Sequence, residues 1–210
     1  MTFPVPKPFS EACERNREPI LAVLREELRD GDRVLEIGSG TGQHAVHFGA
    51  ALPRVTWQTA DLPAHHAGIL AWLADARLAN VLAPLALDAD GFSWPEAAYE
   101  AAFSANTAHI MGWPTVQRMV RGVARALRPG GAFILYGPFR YGGRHTAESN
   151  ARFDAALRAQ DPAMGIRDFE AVDAQARDAG LRLARDVAMP ANNRTLVWRK
   201  PAGYGRILAP

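Results

Sequence analysis

The stretch VLEIGSGTGQH, Val34 to His44, narrows the possible folds more than any other part of the chain. A short apolar run enters a turn with glycines at three alternate positions and leaves along a helix-forming segment. In a parallel α/β sheet such a strand-turn-helix unit lies where ligands bind, because backbone N–H groups and a helix N-terminus gather at the strand's carboxyl end. The residue pattern discriminates between ligands. A dinucleotide turn requires G-x-G-x-x-G, whereas Gly38, Gly40 and Gly42 give G-x-G-x-G and Gln43 takes the place of the third glycine. A triphosphate loop ends in Gly-Lys-Ser/Thr, and Gln43-His44-Ala45 offers no lysine. Glu36, two residues before the first glycine, repels phosphate and attracts an ammonium or sulfonium.

The remaining sequence alternates strand-like and helix-like runs, which predicts an α/β sheet. RVLEI, Val55 to Ala60, VLAPLAL, AAFSA and AFILY read as five parallel strands, with Arg128-Pro129-Gly130-Gly131 a tight turn feeding the fifth. Pro19 is expected to open a helix that Gly31 stops. ARFDAALRAQ and residues 168–179 read as later helices, the last capped by Asp168 and ended by Gly180. LRLARDVAM and TLVWRK, joined by PANN, read as a C-terminal antiparallel hairpin. The expectation is a doubly wound, mostly parallel seven-stranded sheet ending in that hairpin. At 210 residues, 48% of them hydrophobic, the chain suits one domain over 1–210.

Composition excludes several classes. No apolar run reaches the roughly 18 residues of a membrane span, and the N-terminus has no signal-peptide core, so a cytoplasmic, soluble protein is expected. The only cysteine is Cys13, which rules out an internal disulfide. The formal charge is +2, and the arginines are interspersed with acids on helix faces, so no clear nucleic-acid surface is expected. His44 and His47 have metal-pair spacing without a third ligand, and no metal is expected.

Two further acids follow strands. Asp61 ends the second, about 20 residues beyond the glycines, where a carboxylate can accept from a ribose diol; its alternative is a helix cap. Asp88 ends the third, beside an adenine position, and its alternative is the Asp90-Gly91 turn. S-adenosylmethionine carries an ammonium, a sulfonium and a ribose but no phosphate, so it fits this set. E-I-G-S-G-T-G-Q, T-A-D, L-D-A-D, S-A-N-T-A-H and L-R-P-G-G together resemble the ordered motifs of class I S-adenosylmethionine-dependent methyltransferases. ERNREPIL, SANTAHIMGWP, LYGPFRYGGRHTAESNARFD and GIRDFE are more closely similar to an uncharacterised subfamily of them, a domain of unknown function.

The resemblance implies a Rossmann-like fold, S-adenosylmethionine as cofactor and methyl transfer to O or N of a small molecule. The cofactor set is Glu36, Gly38, Ser39, Gly40, Gln43, His44, Asp61, Leu62, Asp88, Asn106 and Asn16. Asn106 and His109 follow the fourth strand, whose end faces the transferable methyl in this fold. Both are catalytic candidates, with His109 a general base or a structural histidine. Trp113, Arg140, Tyr141 and Arg144 are substrate candidates. Residues 138–166 are expected to form a substrate lid whose arginines would favour an anionic acceptor, and 1–30 a helical cap. The rival functions are a catalytically inactive S-adenosylmethionine-binding protein and a nicotinamide-dependent oxidoreductase; the oligomeric state is unknown.

Overall fold

The computed structural model describes residues 7–202. The first six residues of the expected cap and the last eight of the expected domain lie outside the described residues. Strands β1 (Arg33–Ile37), β2 (Thr56–Asp61), β3 (Val81–Ala86), β4 (Tyr99–Ala105) and β5 (Leu127–Gly137) are mutually parallel. Short strands β6 (Phe139–Tyr141), β7 (Arg144–His145) and β8 (Arg167–Asp168) form a separate small sheet. The hairpin β9 (Arg182–Met189) and β10 (Asn193–Arg199) joins the main sheet, β10 running antiparallel to β5. The strand order β3-β2-β1-β4-β5-β10-β9 is a doubly wound seven-stranded sheet, as expected from the sequence.

The α-helices among the described residues are α1 (Glu11–Glu27), α2 (Gln43–Ala51), α3 (His66–Ala76), α4 (Trp113–Ala126), α5 (Glu148–Gln160) and α6 (Phe169–Asp178). Side chains of a strand alternate between faces, and the central strands supply both cores this way. Leu35, Ala102, Phe133, Leu135 and Trp198 face a core closed by α4 and α6. Their neighbours Val34, Phe103, Ile134 and Val197 face one closed by α1 and α2. Burial on both sides explains why these strands read as continuous apolar runs rather than as alternating patterns.

Three local expectations are corrected. Pro19 does not open α1 but lies inside it; the helix starts eight residues earlier, where the Ser10 hydroxyl accepts the Cys13 N–H. Glu11 and Glu14 favour that start by facing the positive helix end. Anchoring by the buried Ile20, Leu21 and Leu24 holds the helix through the proline, whose ring removes one backbone bond. Arg128 to Gly131 is not a turn before β5 but a bulge within it: Tyr99 faces Leu127 and Ala101 faces Ala132. Gly130, at φ +82°, donates there to the Lys200 carbonyl. Asp168 precedes α6 without capping it by its side chain, while Gly180 ends that region at φ +87° as expected.

Candidate functional site

The strand order reverses between β1 and β4, since the chain winds outward from β1 through β2 and β3 and then returns to β1's other side. The carboxyl ends of β1 and β4 diverge there, leaving a crevice. A cavity of about 950 Å³ opens at this point, between Gly38–Thr41 after β1 and Ala105–Asn106 after β4. That volume is at the upper end of small-molecule sites, which run to roughly 1,000 Å³. The start of α1 forms one wall through Cys13, Arg15 and Asn16. Ser149, Asn150 and Phe153 of α5 form another, and the 190–193 turn of the C-terminal hairpin a third. That turn reaches the rim because Arg194 pairs with Gly137, the last residue of β5.

The glycine turn is shaped by positive φ at Gly38 (+73°), Gly40 (+56°) and Gly42 (+90°). A β-carbon on Gly38 would lie 2.5 Å from Thr107 Cγ2, and Thr107 is fixed by its hydroxyl contact to Ser104 (2.6 Å). A β-carbon on Gly40 would meet open space. Gly38→Ala is therefore expected to lose about 2 kcal/mol from strain plus overlap, and Gly40→Ala about 1 kcal/mol from strain alone. Urea midpoints of the two variants measure the difference, and equal losses would remove the Thr107 contact as a cause.

Two buried carboxylates stand behind this turn. Glu36 Oε2 accepts from Ser39 Oγ (2.8 Å) and from Trp57 Nε1 (3.1 Å). Burial pushes its carboxyl up to about 7, against those two hydrogen bonds, and the Asp61 charge adds to the rise. Asp61 Oδ2 accepts the Gly40 N–H (2.6 Å), and Oδ1 accepts the Leu62 N–H (2.7 Å) and faces His65 Nδ1 (2.7 Å). A carboxylate has about four acceptor positions, so one on Oδ2 stays open. Both acids reach the cavity through a donor, Ser39 or Gly40, and no described lysine lines it. The turn thus carries negative potential, which disfavours a phosphate and favours a cation.

Next to the turn, His44 Nε2 bonds Asn16 Oδ1 (2.7 Å), and Cys13 Sγ lies 3.9 Å from His44 Nδ1. Burial lowers His44 to about 4, with His47 nearby, so the ring is neutral at pH 7. His47 itself pairs with Glu18 at 3.1 Å. Across the cavity, Asn106 lies in the left-handed region at φ +59°, its N–H bound to the Tyr136 carbonyl. His109 is buried, which with Arg167 lowers it to about 4, and its ring meets Phe153 edge-on at 5.3 Å.

Of the residues singled out from sequence, Asn16, Gly38, Ser39, Gly40, His44, Asn106 and His109 line this one cavity, and Glu36 and Asp61 back it. Gln43 turns the other way and ties α1 down, donating to Glu14 Oε1 (2.9 Å). Leu62 is exposed beside Asp61. Asp88 is exposed outside the cavity and accepts the Asp90 N–H (3.0 Å), as a turn residue would. Trp113 packs on the α4–α6 core. Arg140 pairs with Asp168 (2.8 Å), and Tyr141 donates to Asp186 (2.9 Å) while stacking on Phe169. Arg144 is exposed in β7. None of these last four lines the cavity. Cys13, Asn150, Phe153, Asn192 and Asn193 also line the cavity but were not among the site residues drawn from sequence, where PANN was read only as a hairpin turn.

The sequence family described as a protein of unknown function (DUF938) matches residues 7–200. The chain belongs to that family. Solved structures similar to this DUF938 chain include an O-methyltransferase family protein from Burkholderia thailandensis, with TM-score 0.77 and 19% identity over 92% of this chain and 59% of that one. Mitomycin 7-O-methyltransferase MmcR gives TM-score 0.77 and 16% identity over 90% of this chain and 54% of that one. YcgJ from Bacillus subtilis gives 0.72 and 16% over 90% of this chain and 100% of that one. The DUF938 chain thus spans between half and three fifths of the O-methyltransferases it matches. At these identities the likeness establishes the Rossmann-like methyltransferase fold. Among the described residues, no helix is long and apolar enough to cross a membrane.

Proposed function

We propose that the chain binds S-adenosylmethionine at the glycine turn and transfers its methyl group to a small-molecule acceptor. The observation that carries this reading is the pair of buried carboxylates, Glu36 and Asp61, behind a turn without lysine or a third dinucleotide glycine. Such a turn suits a cationic ligand with a diol. When bound, the cofactor would supply a methyl group on a sulfonium, an electrophile that needs alignment more than acid or base. Ser39, polarised by Glu36, and Thr41 beside it would hold the methionine end, the other N–H groups of the turn being taken up by Ala60, Asp61 and Ser39. The open position on Asp61 Oδ2 would take a ribose hydroxyl, with Leu62 against the nucleoside. The β4 end, Asn106 and His109, would face the methyl, as the fold's strand order places it across from the turn. Asn16, tied to His44, would close the α1 side.

Calorimetric titration with S-adenosylmethionine, run beside reduced nicotinamide cofactor, is the test. Micromolar binding of the first and none of the second is expected. Binding of the nicotinamide cofactor alone would replace this reading by an oxidoreductase, and binding of neither would leave the turn a structural one. Similarity to O-methyltransferases supports the enzyme class, and tritium transfer from labelled cofactor to an extract fraction separates an active enzyme from an inactive binder.

A further inference from the structure

Gly137, the last residue of β5, has no side chain at a point where two cavity residues converge. A β-carbon built on it would lie 3.7 Å from His109 Nδ1 and 3.9 Å from Asn106 Oδ1. Both are ordinary contact distances, and Gly137 does not need positive φ, so alanine fits there without overlap or strain. The absent side chain therefore leaves a gap bordered by an imidazole nitrogen and an amide oxygen. No described residue bonds either side chain. The wall around this gap is uncharged. Tyr136, Ser149, Asn150 and Asn193 supply hydroxyls and amides, no described Asp, Glu or Lys lines the cavity, and its only cation, Arg15, is an exposed rim residue. Phe153 is 42% exposed although large and apolar, and its ring faces the cavity edge-on to His109. An ionised acceptor held here would find no counterion on the protein wall, which is costly in a partly buried site.

Resting on the methyl-transfer reading, we infer that the acceptor is an uncharged hydroxylated ring, its hydroxyl seated over Gly137 between His109 and Asn106 and its face against Phe153. Arg140 and Arg144, which would have favoured an anion, lie outside the cavity. His109 is neutral at pH 7 and in its Nε2–H tautomer accepts at Nδ1; Asn106 Oδ1 also accepts, so a single hydroxyl donates to one of them at a time. In the transfer, an oxygen lone pair forms the new O–C bond, and the methyl's bond to sulfur breaks with its pair remaining on sulfur. The hydroxyl proton passes to His109 Nδ1 and on to water. Because His109 is a weak base, the proton moves as the O–C bond forms and the oxygen's acidity rises, not beforehand.

The test uses naphthol and hydroxypyridine, each with and without a ring carboxylate, on the full chain and on Gly137→Ala. Acceptor binding is read by ligand-observed NMR with no cofactor present, cofactor affinity by calorimetry, and methylation by mass spectrometry. The uncharged member of each pair is expected to bind and turn over better, and Gly137→Ala to lower both on the order of tenfold while leaving cofactor affinity within about twofold. Preference for the carboxylated members, binding of none of the four, or unchanged acceptor binding in Gly137→Ala would overturn the inference even when the cofactor binds. Failure of the cofactor to bind, with NMR still showing the Gly137-dependent preference, would retire the methyl-transfer reading and leave the neutral-ring subsite standing.

Discussion

His44, His109 and Glu36 together are expected to cost the folded chain about 1.4 kcal/mol of stability per pH unit as pH falls from 6.5 to 4.5, His47, also lowered by burial, adding to the loss in the same sense, and Glu36→Gln is expected to double the contribution of those three. His44 and His109 are each only 6% and 5% exposed, and burial lowers both to about 4 in the fold from an ordinary 6.5. In this window the unfolded chain binds two protons that the folded chain refuses, so stability rises with pH by about 2.7 kcal/mol per unit from the pair. Glu36 acts in the opposite sense. Its carboxyl is raised from 4.5 to about 7, so between those values the folded chain holds a proton that the unfolded chain has lost. Stability from this group falls as pH rises, offsetting one of the two histidine protons. Glutamine keeps an oxygen for Ser39 and Trp57 and cannot titrate, which removes the offset. It also removes the buried charge above pH 7, where Glu36→Gln should be more stable than the parent by up to about 3 kcal/mol. Urea denaturation at half-unit pH steps measures both slopes; parallel profiles would show that Glu36 does not hold its proton in the fold.

A residue that costs stability when charged, at the end of the first strand, is what a ligand-binding carboxylate looks like energetically. A cation in the cavity repays that cost by favouring the ionised form, so cofactor binding should release a proton from Glu36 near pH 7. This connects the stability profile to the proposed function without any contact between Glu36 and the ligand.

Much of this was legible in the sequence because it depends on local order. The strands are continuous apolar runs, the glycines mark a required positive φ, and Glu36 and Asp61 stand at fixed offsets from strand ends. Asn106 and His109 were reached through the resemblance, which puts the end of the fourth strand beside the transferable methyl. What escaped depends on pairing between distant segments. Arg140 looked available because its partner Asp168 lies far along the chain, and only the parallel pairing of β6 with β8 brings them together. Tyr141 finds Asp186 in the same way. Phe153 reads as one apolar position among several on α5, and only its place against His109 marks it. The start of α1 was missed for a local reason: Pro19 is a strong punctuation mark and Ser10 a weak one, yet tertiary anchoring outweighed the proline.

Asp61→Asn is expected to weaken S-adenosylmethionine binding on the order of a hundredfold, and S-adenosylhomocysteine equally. The carboxylate accepts from Gly40, Leu62 and His65 at once, which orders the turn, and keeps one position for a ribose hydroxyl. An asparagine has one oxygen for these donors and turns an N–H toward either the Gly40 or the Leu62 N–H. That like-to-like contact both displaces the turn and removes a charged acceptor, each loss being about 1.5–3 kcal/mol. Equal weakening of the two ligands follows because they share the ribose and differ only in the methyl on sulfur. Glu36→Gln should instead weaken S-adenosylmethionine more than S-adenosylhomocysteine, since only the former is a sulfonium. His65→Ala leaves the open Oδ2 position untouched and is expected to change affinity less than about threefold. If Asp61→Asn binds as tightly as the parent in calorimetry, the carboxylate serves only to fasten the glycine turn, and the ribose is held elsewhere.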